Sequence, residues 1–358
     1  MRILVTGACG FVGSRILRKL RESLVNAELL GMDNLCRAGS ERNRETLKAL
    51  GVKFIHGDVR NASDFESLPA VDWVIDAAAN PSVLAGVDGK SSSRQVIEHN
   101  LLGTVNMLEF CRTRGAGFIL LSTSRVYGIE PLCKLPLRTE GARFVIDESK
   151  PLPPGVSVRG VSEDFSTKPP LSLYGVSKKM SEDLALEYAS TFKLPVWVNR
   201  CGVMAGAGQF GRADQGIVAF WIHSWFEGRP LKYLGFGGLG HQVRDALHPD
   251  DLAALLIKQI HAGSGKPDAP RVANVSGGSE SSFSLAELSA WCANRFGKKI
   301  SVLQDGSERP FDIAWLILDD AKARAAWDWK PAITRDALFD EVAQFAETNE
   351  DWMQVSAS

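Results

Sequence analysis

The chain has 358 residues, 45% of them hydrophobic and 23% charged, enough to bury a full core in one large domain or two smaller ones. Lys+Arg 41 against Asp+Glu 42 leave a net charge of −1, so no global basic field gathers nucleic acid or an anionic membrane; an anionic ligand must be held by local geometry. The chain enters a strand at once ("MRILVTG"), lacks a signal-peptide pattern and contains no apolar run near the roughly 18 residues of a membrane span, so a cytoplasmic protein is expected.

The predicted elements alternate from the first residues. "RILVTGA" reads as a buried strand, "FVGSRILRKLRES" as an amphipathic helix, "AELLGMD" as a strand, "RNRETLKALG" as a helix, and "VKFIHGD" and "DWVIDAAA" as strands. A helix ("HNLLGTVNMLEFCRTRG") and a strand ("GFILLSTS") follow. Such alternation predicts βαβ units and a Rossmann-type doubly wound parallel sheet, and the continuously apolar strands suit a sheet covered on both faces. Residues 129–171, with "PLPPG" and "KPP", are long and irregular, and a loop of that length in a compact domain is functional or disordered. "SKKMSEDLALEYASTFK" is a helix and "LPVWVNRCG" a further sheet strand; 205–240 is rich in Gly and aromatic residues, and "HPDDLAALLIKQIHAG" is a capped amphipathic helix. From about residue 271, "RVANVSGG" and "SLAELSAWCANRFG" read as a strand and a helix of a second unit. The expected organisation is α/β: a Rossmann domain over 1–204 with 241–262 returning to it, and a smaller C-terminal α/β substrate lobe from 205–240 and 263–358. Trp221 and Trp225, four apart on an apolar helix, are expected in the core or at a subunit contact.

Cys9, Cys36, Cys111, Cys133, Cys201 and Cys292 form no C-x-x-C pair and fit reduced thiols; the six histidines form no H-E-x-x-H or H-x-H cluster, so no metal is expected.

"VTGACGFVGSRI" places Gly7, Gly10 and Gly13 between the first strand and first helix. Gly7 allows the tight turn, Gly10 lets a pyrophosphate approach the backbone, and Gly13 lets the helix pack close, with the helix N-terminus supplying N–H groups. Asp33 closes the next strand, where a carboxylate binds the adenine-ribose hydroxyls and repels a 2′-phosphate; NAD is therefore favoured over NADP, with Arg37 nearby. Asp58 and Val59 are candidate adenine contacts. Ala77, Ala78 and Ala79 make a small-residue strand end beside which a dinucleotide could lie, although tight packing alone accounts for them equally well. Phe11, Val12, Asn34 and Asn100 complete the expected cofactor contacts.

"YGVSK" puts Tyr174 and Lys178 at i and i+4 on one helix face. A phenol is a useful base near neutral pH only if its pKa falls well below about 10, and an ammonium one turn away favours phenolate. Thr123, at the end of the "GFILLSTS" strand, offers a hydroxyl for a substrate oxygen. Taken alone, the Tyr/Lys spacing also fits a surface pair.

Together these residues resemble the extended short-chain dehydrogenase/reductase family, the nucleotide-sugar epimerases and dehydratases. "TGACGFVG", "MDNLCRAG", "HGDVRN", "NLLGTVNMLE", "STSRVYG", "YGVSKKMSE", "NRCGVMAG" and "HQVRDALHPDDLAALL" occur in family order over nearly the whole chain. The resemblance implies Tyr174 as acid/base, Lys178 as its modulator, Thr123 as hydroxyl donor, and an NAD that stays bound while hydride leaves and returns. It also implies a nucleotide-sugar substrate and a homodimer through a bundle of the helices around 100–114 and 174–192. The family's 4,6-dehydratases carry Asp-Glu after the Thr, because eliminating water needs an extra acid and base; here Ser124 and Arg125 stand there. With "DNLCRAGSERN", "ADQGIVAFW" and "GHQVRDALHPDD", the basic residue resembles most the CDP-paratose 2-epimerase branch. A 4-epimerase or 4-ketoreductase of UDP- or GDP-sugars, and a non-catalytic dinucleotide sensor or scaffold, are the competing readings. Arg244 and Arg309 resemble family arginines that meet the substrate phosphates, or form an interface ion pair, Arg244 with Asp245 or Asp250. Gln209, Phe210 and Gln215 fall where the family builds its substrate wall, or are packing. Asn199 and Arg200 end a strand, where a side chain faces substrate or serves structure; Ser124, Arg125 and Asn199 are counted among the substrate contacts.

Overall fold

The apolar strands assemble into one seven-stranded parallel sheet in the computed structural model, which describes residues 1–87, 89, 92–212 and 215–357. In chain order the strands are β1 (Arg2–Thr6), β2 (Glu28–Asp33), β3 (Lys53–His56), β4 (Trp73–Asp76), β5 (Gly117–Thr123), β6 (Val196–Cys201) and β7 (Val272–Val275). In space they run β7-β6-β5-β4-β1-β2-β3, so β1 lies between its successor β2 and the more distant β4. A doubly wound sheet binds ligands at this switch point, outside the carboxyl ends of the strands.

Successive side chains point to opposite faces of a strand, and both faces are covered. Ile3 and Val5 enter one core with Leu17 and Leu20 of helix Phe11–Ser23 and Leu252 and Leu256 of helix Pro249–Ala262. Leu4 enters the other, with Met107 and Leu108 of helix Gly103–Arg114 and Ala185 of helix Leu173–Phe192.

The second sheet is built around strand Val243–Leu247, which pairs in parallel with Val203–Met204 and Trp315–Leu316 and antiparallel with Ser282–Ser284. Trp221 and Trp225 sit in the core beneath it with Phe283 and Phe339. Residues 129–171 are ordered: hairpins Leu137–Glu140/Arg143–Ile146 and Val156–Ser157/Gly160–Val161 form there. Ile146, Val161 and Phe165 share a core with Trp315 and Leu318, so the segment joins the second lobe to the end of β5.

Two boundaries read from sequence are corrected. Residues 272–275, assigned above to the C-terminal lobe, are β7, hydrogen-bonded in register to Val198–Cys201 of β6. Within 241–262, helix Pro249–Ala262 packs on helix Phe11–Ser23, but strand Val243–Leu247 stays with the second sheet. Helix Ala321–Trp327 also comes back to the main sheet, its Trp327 edge-on to Trp197 of β6 at 4.8 Å. Apolar periodicity identifies an element's type, not the sheet it joins.

A buried ion pair fastens helix Leu173–Phe192 to the sheet. Arg200 of β6 donates from Nε to Glu182 Oε1 at 3.0 Å and from Nη2 to Oε2 at 2.7 Å, while Ser122 of β5 donates to the same carboxylate at 2.5 Å. Tyr127 lies under the guanidinium, 5.2 Å from ring centroid to Cζ, and donates its OH to Asn274 Oδ1 of β7 at 2.6 Å. Arg200 is therefore a structural residue. Removing one partner strands the other charge, so Glu182→Ala is expected to cost about 3–5 kcal/mol in urea unfolding; a loss below about 1 kcal/mol would show that the pair holds nothing.

Candidate active site

A cavity of about 550 Å³ opens over the carboxyl ends of β1, β2, β4, β5 and β6, within the size range of small-ligand and cofactor sites. At one end Gly7 turns the chain with φ +63°, and a Cβ added there would lie 2.7 Å from Ala77 O. A Cβ at Gly13 would lie 2.1 Å from Gly7 O, so the helix can approach the strand only as glycine. Gly10, Phe11, Val12 and Gly13 line the cavity, and the helix N-terminus carries neither a side-chain cap nor an acid in its first turn. That is a cradle for a negatively charged group.

Asp33 sits on the wall, its carboxylate accepting from Cys9 N at 2.9 Å and Leu35 N at 2.8 Å. Burial raises its pKa, and these backbone donors draw it back. Asn34, Arg37, Val59 and Ala77–Ala79 line the same end. A glycine cradle followed by a carboxylate on the neighbouring strand fits a dinucleotide.

Beyond the cradle, Thr123, Ser124, Arg125, Tyr174 and Lys178 converge on the wall. Ser172 caps the helix by accepting from Gly175 N at 3.0 Å, which puts Tyr174 in the first turn. Gly175 is required there, because an added Cβ would fall 2.3 Å from Arg125 O. Burial pushes the Tyr174 phenol up to about 12, against a hydrogen bond from Thr123 and the charge of Arg125, which pull it down. Lys178 lies on the same wall and draws down the pKa of the buried Asp76, which burial raises.

The far end is lined by cations. Arg125 donates from Nη1 to Phe311 O at 3.2 Å and is lowered to about 10 by burial and by Arg244. Arg244 pairs with Asp312 at 3.4 Å, not with Asp245 or Asp250, and Arg309 lies on the same wall. Gln209, Phe210 and Gln215 line the cavity too: Gln209 donates to Met204 O at 2.6 Å, and Gln215 Oε1 accepts from Arg37 at 3.1 Å. Ala213 and Asp214 of "ADQGIVAFW" lie outside the described residues.

Three expected contacts are corrected. Asn199 is fully buried in a reciprocal amide pair with Gln259, both bonds 2.9 Å, and faces no cavity. Asn100 is buried behind the wall, bonding Asn80 N at 2.8 Å and Ser177 Oγ at 3.1 Å, and supports the loop after β4. Asp58 is absent from the wall although Gly57 and Val59 line it; its carboxylate is taken by Arg60 at 2.6 Å and Asn34 at 2.9 Å. In each case a local partner satisfies the polar group, which sequence spacing cannot reveal.

Lys232, Gln242, Phe311 and Asp312 also line the cavity and escaped the sequence reading. Asp312 had a signal, an acid three residues after Arg309 in "ERPFD"; Lys232 and Gln242 had none.

The fold and cavity define a dinucleotide-binding α/β protein with a buried Tyr/Lys pair beside the cofactor cradle. The chain belongs to the NAD dependent epimerase/dehydratase family, whose profile matches residues 3–275, and its cofactor is NAD. It is 29% identical over 346 residues to the CDP-paratose 2-epimerase of Salmonella typhi, covering 93% of this chain and 96% of that one. It is also 29% identical over 340 residues to the dTDP-glucose 4,6-dehydratase of Streptomyces antibioticus, covering 92% and 88%. The UDP-glucose 4-epimerase of Thermotoga maritima superposes with a TM-score of 0.77 over 98% of this chain and 100% of its own, at 22% identity, a likeness of fold.

The raised phenol sets a pH dependence. A folded-state pKa above the ordinary tyrosine value near 10 contributes stability that is complete below that value and is lost as pH rises through the folded one, about 12. Ultraviolet titration of cofactor-free protein is expected to show a tyrosinate step near 12 that Tyr174→Phe removes. A step at or below about 10 that disappears in that variant would mean that Lys178 overcomes burial.

Proposed function

We propose that the chain is an NAD-dependent nucleotide-sugar epimerase of the CDP-paratose 2-epimerase kind, working by transient oxidation to a ketosugar and return of the hydride to the other face. The observation that carries this is the pair Ser124–Arg125 directly after Thr123. Elimination needs an acid and a base at the reacting carbons. Among the described wall residues, the carboxylates are Asp33, held by backbone donors at the cradle, and Asp312, paired with Arg244. Neither is free to serve beside Tyr174.

The residues then divide the work. Gly7, Gly10 and Gly13 with Asp33 hold the dinucleotide, and Tyr174 and Lys178 flank its nicotinamide ribose. Bound NAD supplies a hydride acceptor that becomes the donor on return. Tyr174 Oη takes the proton of a sugar hydroxyl and later gives it back, with Thr123 Oγ1 holding the same substrate oxygen. Arg125 offsets the burial of the phenol, and Arg244 and Arg309 bind the diphosphate through parallel N–H donors. No net oxidation occurs, so no second substrate is needed. Exposed Leu102, Met180 and Phe192 on the helices around 98–114 and 173–192 support a homodimer through that face.

Incubating the protein, without added cofactor, with CDP-, UDP- and GDP-deoxysugars and following the sugar by NMR tests the reading. Inversion of a CDP-sugar without loss of water is expected, slowed by about 10²–10⁴-fold in Tyr174→Phe. Water elimination, or stoichiometric consumption of added NADH, would overturn it.

A further inference from the structure

Beyond helix Arg335–Thr348 the chain folds back onto the cofactor end of the cavity. Trp352, only 4% exposed, stacks on Phe210 with centroids 5.3 Å apart and planes at 18°, and donates Nε1–H to Gln209 O at 2.8 Å. Phe11 and Val12, from the first turn of the glycine-rich helix, join this small apolar cluster with Met204 and Phe345. Val355 covers Gly39, where an added Cβ would lie 2.9 Å from Val355 Cγ1 and 3.0 Å from Phe210 Cε1. Asp351 pairs with Arg42 at 2.7 Å, and the Arg42 guanidinium lies 5.9 Å from the centre of the Trp352 ring.

The tail thereby joins two segments that both border the cavity. One follows β2 and contributes Arg37 and Ser40 to the wall; the other follows β6 and contributes Gln209 and Phe210. Arg37 already crosses between them, donating to Gln215 Oε1 at 3.1 Å and to Phe210 O at 3.3 Å. Trp352 is not on the wall and acts through Phe210 and Gln209.

We propose that residues 351–355 are a clasp that locks these two segments over the bound dinucleotide and slows its release, with Trp352 as the positioning residue. The proposal rests on the epimerase reading, in which the cofactor stays bound between turnovers. Its strength lies in the buried indole, since aromatic burial dominates contacts of this kind, whereas the exposed Arg42–Asp351 pair adds little. Release requires local opening, and the stability of the contacts that must break sets the population of the open form.

The test uses full-length protein loaded with NADH and chased with excess NAD, following the loss of bound NADH fluorescence. Trp352→Ala is expected to release NADH at least about tenfold faster. Trp352→Phe, which keeps the stack but loses the N–H to Gln209, falls between it and the parent. With NAD saturating, turnover in Trp352→Ala stays near the parent's while the requirement for added NAD rises, a split that general destabilisation does not produce. Should Trp352→Ala not fold, Val355→Ala releases the Gly39 end alone and carries the same expectation in smaller measure. Release rates within about twofold of the parent in whichever variant folds would overturn the clasp. Failure of the epimerase reading looks different: release is slow in the parent and quickened in the variants, yet no sugar is inverted.

Discussion

The Glu182–Arg200 ion pair is the contact on which the arrangement of the site depends. Helix Leu173–Phe192 carries Tyr174 and Lys178, whereas Thr123 ends β5 and Arg125 follows it, about fifty residues earlier in the chain. A carboxylate from the helix receives a guanidinium from β6 and a hydroxyl from β5 at once, so three elements meet at one buried group. Buried charges tolerate little displacement, because separating them leaves each without water or partner. The tight approach of Gly175 to Arg125 O then sets the helix N-terminus against the turn after Thr123. Packing and electrostatics fix the same geometry by independent means.

Burial has a second effect at the reacting end. The water-poor surroundings that strengthen interactions among Thr123, Tyr174 and Arg125 also raise the phenol, against the hydrogen bond from Thr123 and the charge of Arg125. Arg125 has a backbone carbonyl for its hydrogen-bond partner, and its charge bears on the phenol.

Much of this was legible in the amino-acid sequence, and the failures share one cause. "FVGSRILRKLRES" coincides with helix Phe11–Ser23, and "GFILLSTS" runs one residue past β5, because apolar period and glycine punctuation are local properties. The glycine cradle and Asp33 were equally readable, since each rests on a spacing within one βα unit. Asn199, Asn100 and Asp58 failed because their partners, Gln259, Asn80 and Arg60, decide whether a polar side chain faces a ligand or a neighbour. The burial that raises the Tyr174 phenol was not readable, because helical spacing reports proximity but not burial. β7 was assigned to the wrong lobe because its "VANV" run is an adequate strand anywhere; only its pairing with β6 says where it belongs.

The return of β7 to the main sheet bears on how the protein can be divided and how it emerges during synthesis. The edge of β6 is completed only by a strand made some seventy residues later, after the chain has passed through the second lobe and come back. A fragment ending at residue 204 would leave the backbone edge of β6 unpaired, the kind of edge that recruits other strands. The two lobes are therefore not modules joined by a linker. They are interleaved, and neither reaches its final form before the other has largely been made.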